Sequence, residues 1–174
     1  VSDSIFRDTK ANMGSGGAIF GYGSISVSGS TFTDSTVKSE GGAIYGKSSI
    51  SVINSTFAID IAIFGGAVYG YSGAISVINS TFANDIADIG GAVYGYSVDI
   101  NVMDSTFINN SARVGGAIFG SGLSNINVIG STFNHIVATD NIGGAIYGDG
   151  NVNIIDSKFK NNKADIGTDV YSEG

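Results

Sequence analysis

Tyrosines that recur at a nearly constant interval are the side chains of this chain best suited to binding a ligand. Tyr45, Tyr69 and Tyr94 follow one another at this interval, and Tyr71 and Tyr96 stand two positions after the last two. Stacked aromatic rings bind sugars or pack against proteins, but they also hold neighbouring strands together. The candidate aromatic binding or assembly face comprises Tyr45, Tyr69, Tyr71, Tyr94, Tyr96 and Tyr147.

Carboxylates recur in a similar way. Asp60 and Asp85 are separated by the same interval as Tyr69 and Tyr94, and Asp88 is close to the second of them. Paired carboxylates can hold Ca²⁺ or exchange protons with a substrate, whereas acidic residues in solvated turns have only a structural role. The chain has no aspartate-rich nonapeptide of the calcium-binding type. We therefore expect these residues to be structural, with no metal and no cofactor.

Basic residues are too scattered to complete a catalytic site. Polysaccharide-active enzymes on repetitive β folds cluster several carboxylates with Arg, Lys or His on one face. Here Arg7 and Arg113 lie about four repeats apart, and His135 is the only histidine. The sequence therefore predicts no catalytic residues and no enzyme, with a polysaccharide-active enzyme as a remote alternative.

The composition excludes several other classes of protein. The chain has no cysteine, which excludes a disulfide scaffold, a thiolate metal site and a cysteine nucleophile. Its formal net charge of −7 and its dispersed basic residues argue against binding of nucleic acid. No apolar run approaches the ~18 residues of a membrane-spanning helix, so we expect no transmembrane segment.

Two motifs recur through the whole chain and define its repeat. Gly-Gly-Ala begins at Gly16, Gly41, Gly65, Gly90, Gly115 and Gly143. Ser-Thr-Phe ends at Phe32, Phe57, Phe82, Phe107 and Phe133, with variants ending at Phe6 and Phe159. The chain therefore contains seven repeats of about 25 residues.

The positions before each phenylalanine alternate between apolar and polar residues. Val or Ile stands five and seven residues before it, as at Val52 and Ile50, and Ser or Asn stands between them, as at Ser51. This alternation is typical of half-buried strands, and a repeat of this length is shorter than the ~40 residues of a propeller blade. The sequence predicts an all-β chain that forms one domain over residues 1–174, a right-handed parallel β-helix (β-solenoid) of about seven coils.

Alternation along the strand also predicts where the tyrosines point. Each tyrosine of the Gly-Gly-Ala-Ile/Val-Tyr segment follows an Ile or Val, and neighbouring side chains face opposite sides of a sheet. The apolar column that includes Phe64 and Ile89 shares the parity of the Ile/Val column, which assigns Ile/Val to the interior. We therefore expect an exposed tyrosine ladder.

The motifs resemble those of a known family. GGAI stands at residues 16–19, 41–44, 115–118 and 143–146, GGAV at 65–68 and 90–93, and FxxN at 107–110 and 159–162. The paired motifs resemble those of the chlamydial polymorphic outer membrane proteins and of archaeal (methanogen) adhesin-like surface proteins. This resemblance implies a right-handed parallel β-helix at the cell surface or outside the cell, often an adhesin. At the FxxN asparagine position the other repeats carry Thr9, Ser35, Asp60, Asp85 and Ile136.

The two ends of the repeat array suggest how copies could associate. An uncapped solenoid end exposes strand edges that recruit another chain. We therefore expect a non-catalytic extracellular structural module that stacks head to tail into a fibre or forms a surface stalk, or alternatively an adhesin that binds a glycan or protein through its Tyr/Ser/Asn face. The candidate assembly edges are Val1, Phe6, Lys158, Lys160, Lys163 and Tyr171. Sites of possible N-glycosylation are Asn54, Asn79 and Asn109.

Overall fold

The computed structural model describes residues 1–12 and 14–173 and confirms the parallel β-solenoid. Every strand pairing in this part of the chain is parallel, and the secondary structure consists of strands and turns without a helix. Each repeat forms one coil, because the motif columns of consecutive repeats pair directly, as Phe57 pairs with Phe82. Accordingly, the described residues contain no helix that could cross a membrane.

Three long sheets run along the solenoid. The sheet that carries the phenylalanine column, the Phe sheet, has strands at Ile5–Arg7, Thr31–Thr33, Thr56–Ala58, Thr81–Ala83, Thr106–Ile108, Thr132–Asn134 and Lys158–Lys160. The Tyr sheet has strands at Ile19–Gly21, Ile44–Gly46, Val68–Gly70, Val93–Tyr96, Ile118–Ser121, Ile146–Gly148 and Val170–Ser172. The Val sheet has strands at Ile25–Ser28, Ile50–Ile53, Ala74–Ile78, Asp99–Met103, Ile126–Ile129 and Val152–Ile155.

A shorter side of the coil connects the Phe sheet to the Tyr sheet. Two strand pairs lie there, Lys10–Ala11 with Thr36–Val37 and Ser111–Val114 with Val137–Ile142. In the coils between these pairs the same side is held by single bridges, including that of Ile61 with Ile86. The backbone pairing on this side is therefore less regular than in the three long sheets.

The interior is filled by identical side chains stacked from coil to coil. The phenylalanines of the five central repeats are fully buried, and consecutive rings of this column, the Phe ladder, stack with centroids 4.7–4.9 Å apart. Val52 and Ile50, the two predicted inward positions, are also buried, as are their counterparts in the neighbouring central coils. Complete removal of these apolar side chains from water is the main source of stability for such a fold.

Serine closes the corner between the Val sheet and the Phe sheet. The Ser55 hydroxyl donates to the carbonyl oxygen of Ile53 at 2.8 Å and accepts the backbone N–H of Ser30 at 3.2 Å. The same pair of bonds recurs at Ser80 and Ser105. Each buried hydroxyl of this row is thereby satisfied, which explains why the motif requires serine before Thr-Phe.

The Gly-Gly-Ala motif is required by backbone geometry. The first glycine adopts a left-handed backbone conformation, with φ of +61° at Gly65. Glycine reaches this conformation at little cost because it has no Cβ atom. A Cβ atom on the second glycine, Gly66, would collide with the carbonyl oxygen of Gly91 in the next coil. The alanine, as at Ala67, is fully buried against the core.

Candidate functional site

The tyrosine column lies on the outer side of the Tyr sheet. Its neighbours Ile44, Val68 and Val93 are fully buried in the main core, so the predicted assignment of Ile/Val to the interior is confirmed. We use "Tyr ladder" for the rings of Phe20, Tyr45, Tyr69, Tyr94, Phe119, Tyr147 and Tyr171. Consecutive rings of this ladder stack with centroids 4.6–5.4 Å apart.

The central part of the Tyr ladder is buried, so the prediction that it is exposed is wrong. Tyr45, Tyr69 and Tyr94 are only 7–8% exposed, since Phe64 and Ile89 pack against their rings. The prediction assigned the faces of the sheet by alternation from Phe64 to the tyrosine column. This assignment fails for Phe64, because Gly65 lies between the two columns with φ of +61°. Alternation holds only along an extended backbone, so parity is lost across a left-handed glycine.

A second tyrosine row, two positions further along the chain, is the aromatic surface that faces solvent. We use "Tyr strip" for Tyr22, Lys47, Tyr71 and Tyr96, which occupy one column of four consecutive coils. Tyr22, Tyr71 and Tyr96 are 71%, 50% and 43% exposed. The rings of Tyr71 and Tyr96 stack at 5.5 Å, and the Lys47 ammonium lies 4.8 Å from the centroid of the Tyr22 ring.

Sequence reasoning identified Tyr71 and Tyr96 in this strip but missed Tyr22. The signal was present, because Tyr22 follows Phe20 by two positions as Tyr71 follows Tyr69. The intervening coil carries Lys47 in that column, which interrupted the visible tyrosine repeat. The cation over the ring continues the row as a cation–π contact in place of an aromatic stack.

Four phenol groups of the Tyr ladder, those of Tyr45, Tyr69, Tyr94 and Tyr147, stay neutral in the physiological range. Burial is the main cause that raises the pKa of Tyr45, Tyr69, Tyr94 and Tyr147 above that of a free phenol. The Tyr94 hydroxyl lies 2.8 Å from the Ser121 hydroxyl, and the Tyr147 hydroxyl donates to the Glu173 carboxylate. These four side chains are therefore uncharged members of a packed aromatic row.

Asp60 and Asp85 lie inside the solenoid, neither in solvated turns nor in a cleft. Both are fully buried in the column of the FxxN asparagine. One oxygen of each accepts a backbone N–H of the preceding coil: Asp60 Oδ1 accepts from Ser35 at 2.8 Å, and Asp85 Oδ1 accepts from Asp60 at 3.0 Å. The solvated-turn interpretation of these residues is therefore wrong.

The next coil shows the arrangement that these aspartates replace. Asn110 Oδ1 accepts the backbone N–H of Asp85 at 2.8 Å, and its Nδ2 donates to the carbonyl oxygen of Phe82 at 3.1 Å. In Asp60 and Asp85 the corresponding Oδ2 atoms have no hydrogen-bond partner. Burial raises the pKa of Asp60 to about 7 and that of Asp85 well above its ordinary value. A protonated carboxyl group would imitate the amide, with its O–H in place of the N–H.

The remaining titratable residues do not gather around a common point. Arg113 forms an ion pair with Asp140, at 2.6 Å. His135 is exposed at a left-handed corner, 3.3 Å from the Asn161 amide. No group of three or more His, Cys, Asp or Glu residues that could hold a metal ion occurs in the described part of the chain.

The predicted assembly edges lie at the two ends of the sheets. The strand that contains Phe6 pairs on one side only, with Thr31–Thr33, and the Val1 ammonium donates to the carbonyl oxygen of Ser26 at 2.8 Å. At the other end, Lys158 and Lys160 flank Phe159 on the last strand of the Phe sheet. Lys163 is exposed, and Tyr171 stacks on Tyr147 as the last ring of the Tyr ladder.

The three predicted glycosylation sites occupy exposed corners. Asn54, Asn79 and Asn109 all have left-handed backbones, with φ between 47° and 54°. The Asn79 amide donates to Asn54 Oδ1 at 2.8 Å, and that of Asn109 donates to Asn84 Oδ1 at 3.3 Å. These bonds form two separate amide pairs at different corners of the coil, and each pair connects adjacent coils.

The repeat itself provides the link to known proteins. Residues 104–121 match the family model of the Chlamydia polymorphic membrane protein repeat. This stretch contains FxxN at 107–110 and GGAI at 115–118. Neither the curated proteins nor the solved structures yield a significant match. The chain is a β-solenoid repeat protein, and one of its repeats is similar to that of a membrane-protein family found at a bacterial surface; the similarity to archaeal surface proteins stays a prediction.

Proposed function

We propose that this chain is a non-catalytic structural segment, a rigid stalk that projects from a cell surface. The observation that supports this most directly is the Phe ladder, which continues without a break through seven coils. Each coil also exchanges backbone hydrogen bonds with its neighbours along all three long sheets. Such continuous ladders make a rod whose length increases by ~4.8 Å per coil.

The absence of catalysis is part of this proposal. Asp60 and Asp85 are the paired carboxylates that a reaction would use, and both are sealed in the interior. A substrate would have to reach them through the wall of the solenoid. We therefore expect no turnover of acidic polysaccharides, and turnover that disappears in Asp85→Asn would contradict the proposal.

Removal of one whole coil tests the stalk directly. Deletion of residues 76–100 joins Ile75 to Asn101 and keeps every column in place, since Ile75 pairs with Ile100 and Ser76 with Asn101. We expect a folded rod shortened by ~4.8 Å, measured by small-angle X-ray scattering. Deletion of residues 76–88 removes half a coil and is the control, because it puts the columns out of register and should unfold the chain. A coil-sized deletion that unfolds it equally would contradict the stalk.

End-to-end growth is the more specific form of this proposal. The Phe sheet ends in strands Ile5–Arg7 and Lys158–Lys160, each paired on one side only. The unpaired backbone groups of such strands can accept a further coil, whether of the same chain or of another copy. Electron microscopy of this 174-residue chain over a range of concentrations should show continuous thin rods. Particles of constant length at every concentration would contradict end-to-end growth, as would growth that persists after deletion of residues 1–6.

Glycan binding by the Tyr strip is a second candidate function, which the exposed Tyr71–Tyr96 stack specifically favours. The faces of exposed aromatic rings pack against the apolar faces of sugars. The Tyr ladder runs beside the strip, and the ring of Phe20 contacts that of Tyr22 edge-on with centroids 5.2 Å apart. We expect Tyr71→Ala with Tyr96→Ala to abolish binding on a glycan array without a change in the circular dichroism spectrum.

The matched control for the strip is Met103→Ala, which removes a side chain of similar exposure on the Val sheet. Binding should be retained in this variant. Equal loss of binding in both variants would mean that the glycans do not recognise the Tyr strip.

A further inference from the structure

Four isoleucines form an exposed apolar cluster on the short side of the solenoid, between the Phe sheet and the Tyr sheet. We use "Ile face" for Ile59, Ile61, Ile63 and Ile86, which are 38–48% exposed. Asp60 and Ala62, which alternate with the first three isoleucines, are buried, and so are Asp85 and Ala87 on either side of Ile86. The isoleucines therefore occupy the outward positions of the alternation. Contiguous exposed apolar groups of this kind mark interaction surfaces.

The fold does not require isoleucine at these positions. The column of Ile59 carries aspartate, asparagine or histidine in the other six coils. Ile61 pairs with Thr36, and the column of Ile63 carries Lys38 and Asp88 in the adjacent coils. The same backbone therefore accepts polar side chains, and the cluster is a feature of this one region.

Ile59 is also held in an unfavourable backbone conformation. Its φ is +61°, in the left-handed region that Asn and Asp tolerate and that β-branched residues avoid. Its counterparts Asp34 and Asn84 have the same conformation, with φ of 58°. Isoleucine at this corner works against folding and still leaves 47% of its surface exposed, which favours a partner that covers the rest.

We infer that the Ile face binds a second copy of this chain, with the two solenoids side by side and parallel. The two copies are related by a twofold axis that runs parallel to the solenoid, along the column of Ile61 and Ile86. Rotation about this axis places Ile61 opposite Ile61 of the second copy, and Ile86 opposite its Ile86. The same axis sets Ile59 opposite Ile63 of the second copy, so all four isoleucines are matched. Self-complementarity of this kind is the geometry of an isologous dimer.

The charges beside the Ile face favour the same partner. One coil earlier, Asp34 occupies the column of Ile59 and Lys38 occupies the column of Ile63. The twofold axis sets Lys38 opposite Asp34 of the second copy, and this contact occurs twice. Within the described residues the single ion pair joins Arg113 to Asp140, so the Lys38 ammonium is available for it.

A twofold axis across the solenoid matches the surface less well. If it passes through the coil of Ile61, it sets Ile86 against the hydroxyl of Thr36. If it passes between the coils of Ile61 and Ile86, it sets Ile59 against Asn84 and Ile63 against Asp88. The Ile face covers little more than one coil, so we expect weak association that becomes strong only when many copies are held close together on a surface.

Single cysteines test the geometry, because the chain has no cysteine of its own. Ile61→Cys and Ile86→Cys each lie on the proposed axis and should form disulfide-linked dimers under mild oxidation. Ile155→Cys, equally exposed on the Val sheet, is the control and should form few. Equal yields from all three variants would overturn the inference, and so would linkage of Ile61→Cys without linkage of Ile86→Cys. End-to-end stacking gives neither product, since both positions lie in central coils.

Sedimentation velocity tests the affinity with a variant that uses residues from neighbouring coils. Ile59→Asn, Ile61→Thr and Ile63→Lys copy Asn84, Thr36 and Lys38, so the triple variant should fold. We expect the wild type to dimerise reversibly and the triple variant to raise the dissociation constant about tenfold or more. The control pair Met103→Ser and Ile155→Ser, which copies Ser28, should dimerise like the wild type. A wild type that stays monomeric up to about 1 mM would overturn the inference, as would a triple variant that dimerises unchanged.

Discussion

The Phe ladder and the Tyr ladder stack at nearly the same spacing but differ in what surrounds the rings. Phenylalanine rings lie 4.7–4.9 Å apart inside the core, where those of the central coils are fully buried. Tyrosine rings lie outside the Tyr sheet and depend on Phe64 and Ile89 for cover. Both ladders are columns of stacked aromatic rings, so the surroundings rather than the stacking determine what each ladder contributes.

This difference separates stability from recognition. The central rings of the Phe ladder contact only protein and are enclosed by the three long sheets. The central rings of the Tyr ladder are covered by Phe64 and Ile89 outside the Tyr sheet, and Phe20 at its end is exposed to solvent. A mutation in the first should change mainly the free energy of unfolding, whereas one near the second can change binding with little effect on folding.

Truncation of one ring in each ladder should give the largest difference. Phe82→Ala leaves a cavity in the dry core and should lower the free energy of unfolding by about 3–5 kcal/mol. Tyr69→Ala, the matched truncation in the Tyr ladder, should cost less because Phe64 can move into the space from a partly exposed position. Urea denaturation followed by circular dichroism measures both. Equal losses would mean that the two ladders are equivalent.

The buried aspartates beside the Phe ladder should make the free energy of unfolding fall as the pH rises towards neutrality. Because the pKa of Asp60 is raised from 3.8 to about 7, the folded state binds its proton more tightly than the unfolded state. Stability from this proton is fully present below pH ~4 and is lost as the pH rises towards 7, by up to about 4 kcal/mol. Asp85, with its pKa also raised, extends the loss to higher pH.

The variant that tests this is Asp60→Asn with Asp85→Asn, which copies Asn110 in both coils. It should remove most of the pH dependence between 4 and 7 and stabilise the chain at pH 8, as measured by urea denaturation at a series of pH values. Asp88→Asn, at an exposed position of the same coil as Asp85, should leave the dependence unchanged. A double variant with the pH dependence of the wild type would show that these carboxyl groups are not the cause.

Alkaline pH should act on the Tyr ladder and not on the Phe ladder. Burial raises the pKa of Tyr69 above 10, so stability is fully present below pH ~10 and is lost as the pH rises further. Tyr69→Phe, which copies Phe119 of the same column, should fold and should reduce this loss. Thermal melts at pH 9 and above measure the effect. If Tyr69→Phe loses as much stability at alkaline pH as the wild type, other groups cause the loss.

Relief of strain at one corner should give the smallest effect. Ile59→Asn places a residue tolerant of left-handed backbone where φ is +61°, and should stabilise the isolated chain by about 1 kcal/mol. Asn84→Ile introduces the opposite change at the same corner of the next coil and should destabilise it by a similar amount. Thermal melts at low protein concentration measure both, and a stability gain in Asn84→Ile would contradict the strain argument.

Much of this architecture followed from repeat spacing alone. Residues at one position of every repeat must stack when coils are of equal length, so Phe57 over Phe82 and Val52 over Val77 were predictable. The burial of Tyr69 was not predictable, because Gly65, with its left-handed backbone, breaks the alternation between the column of Phe64 and that of the tyrosines. Burial of Asp60 was missed as well, because an acidic residue in a short segment between strands usually faces water.

By itself, the sequence determined the class of fold and the stacking of each column, because alternation and a constant repeat length leave few other ways to bury these side chains. The tertiary structure decided which columns remain in contact with water. Exposure depends on the path of the chain around each corner, and left-handed residues such as Gly65 and Ile59 set that path. For this reason the most exposed tyrosines are those of the Tyr strip, and the isoleucines of the Ile face lie on the surface.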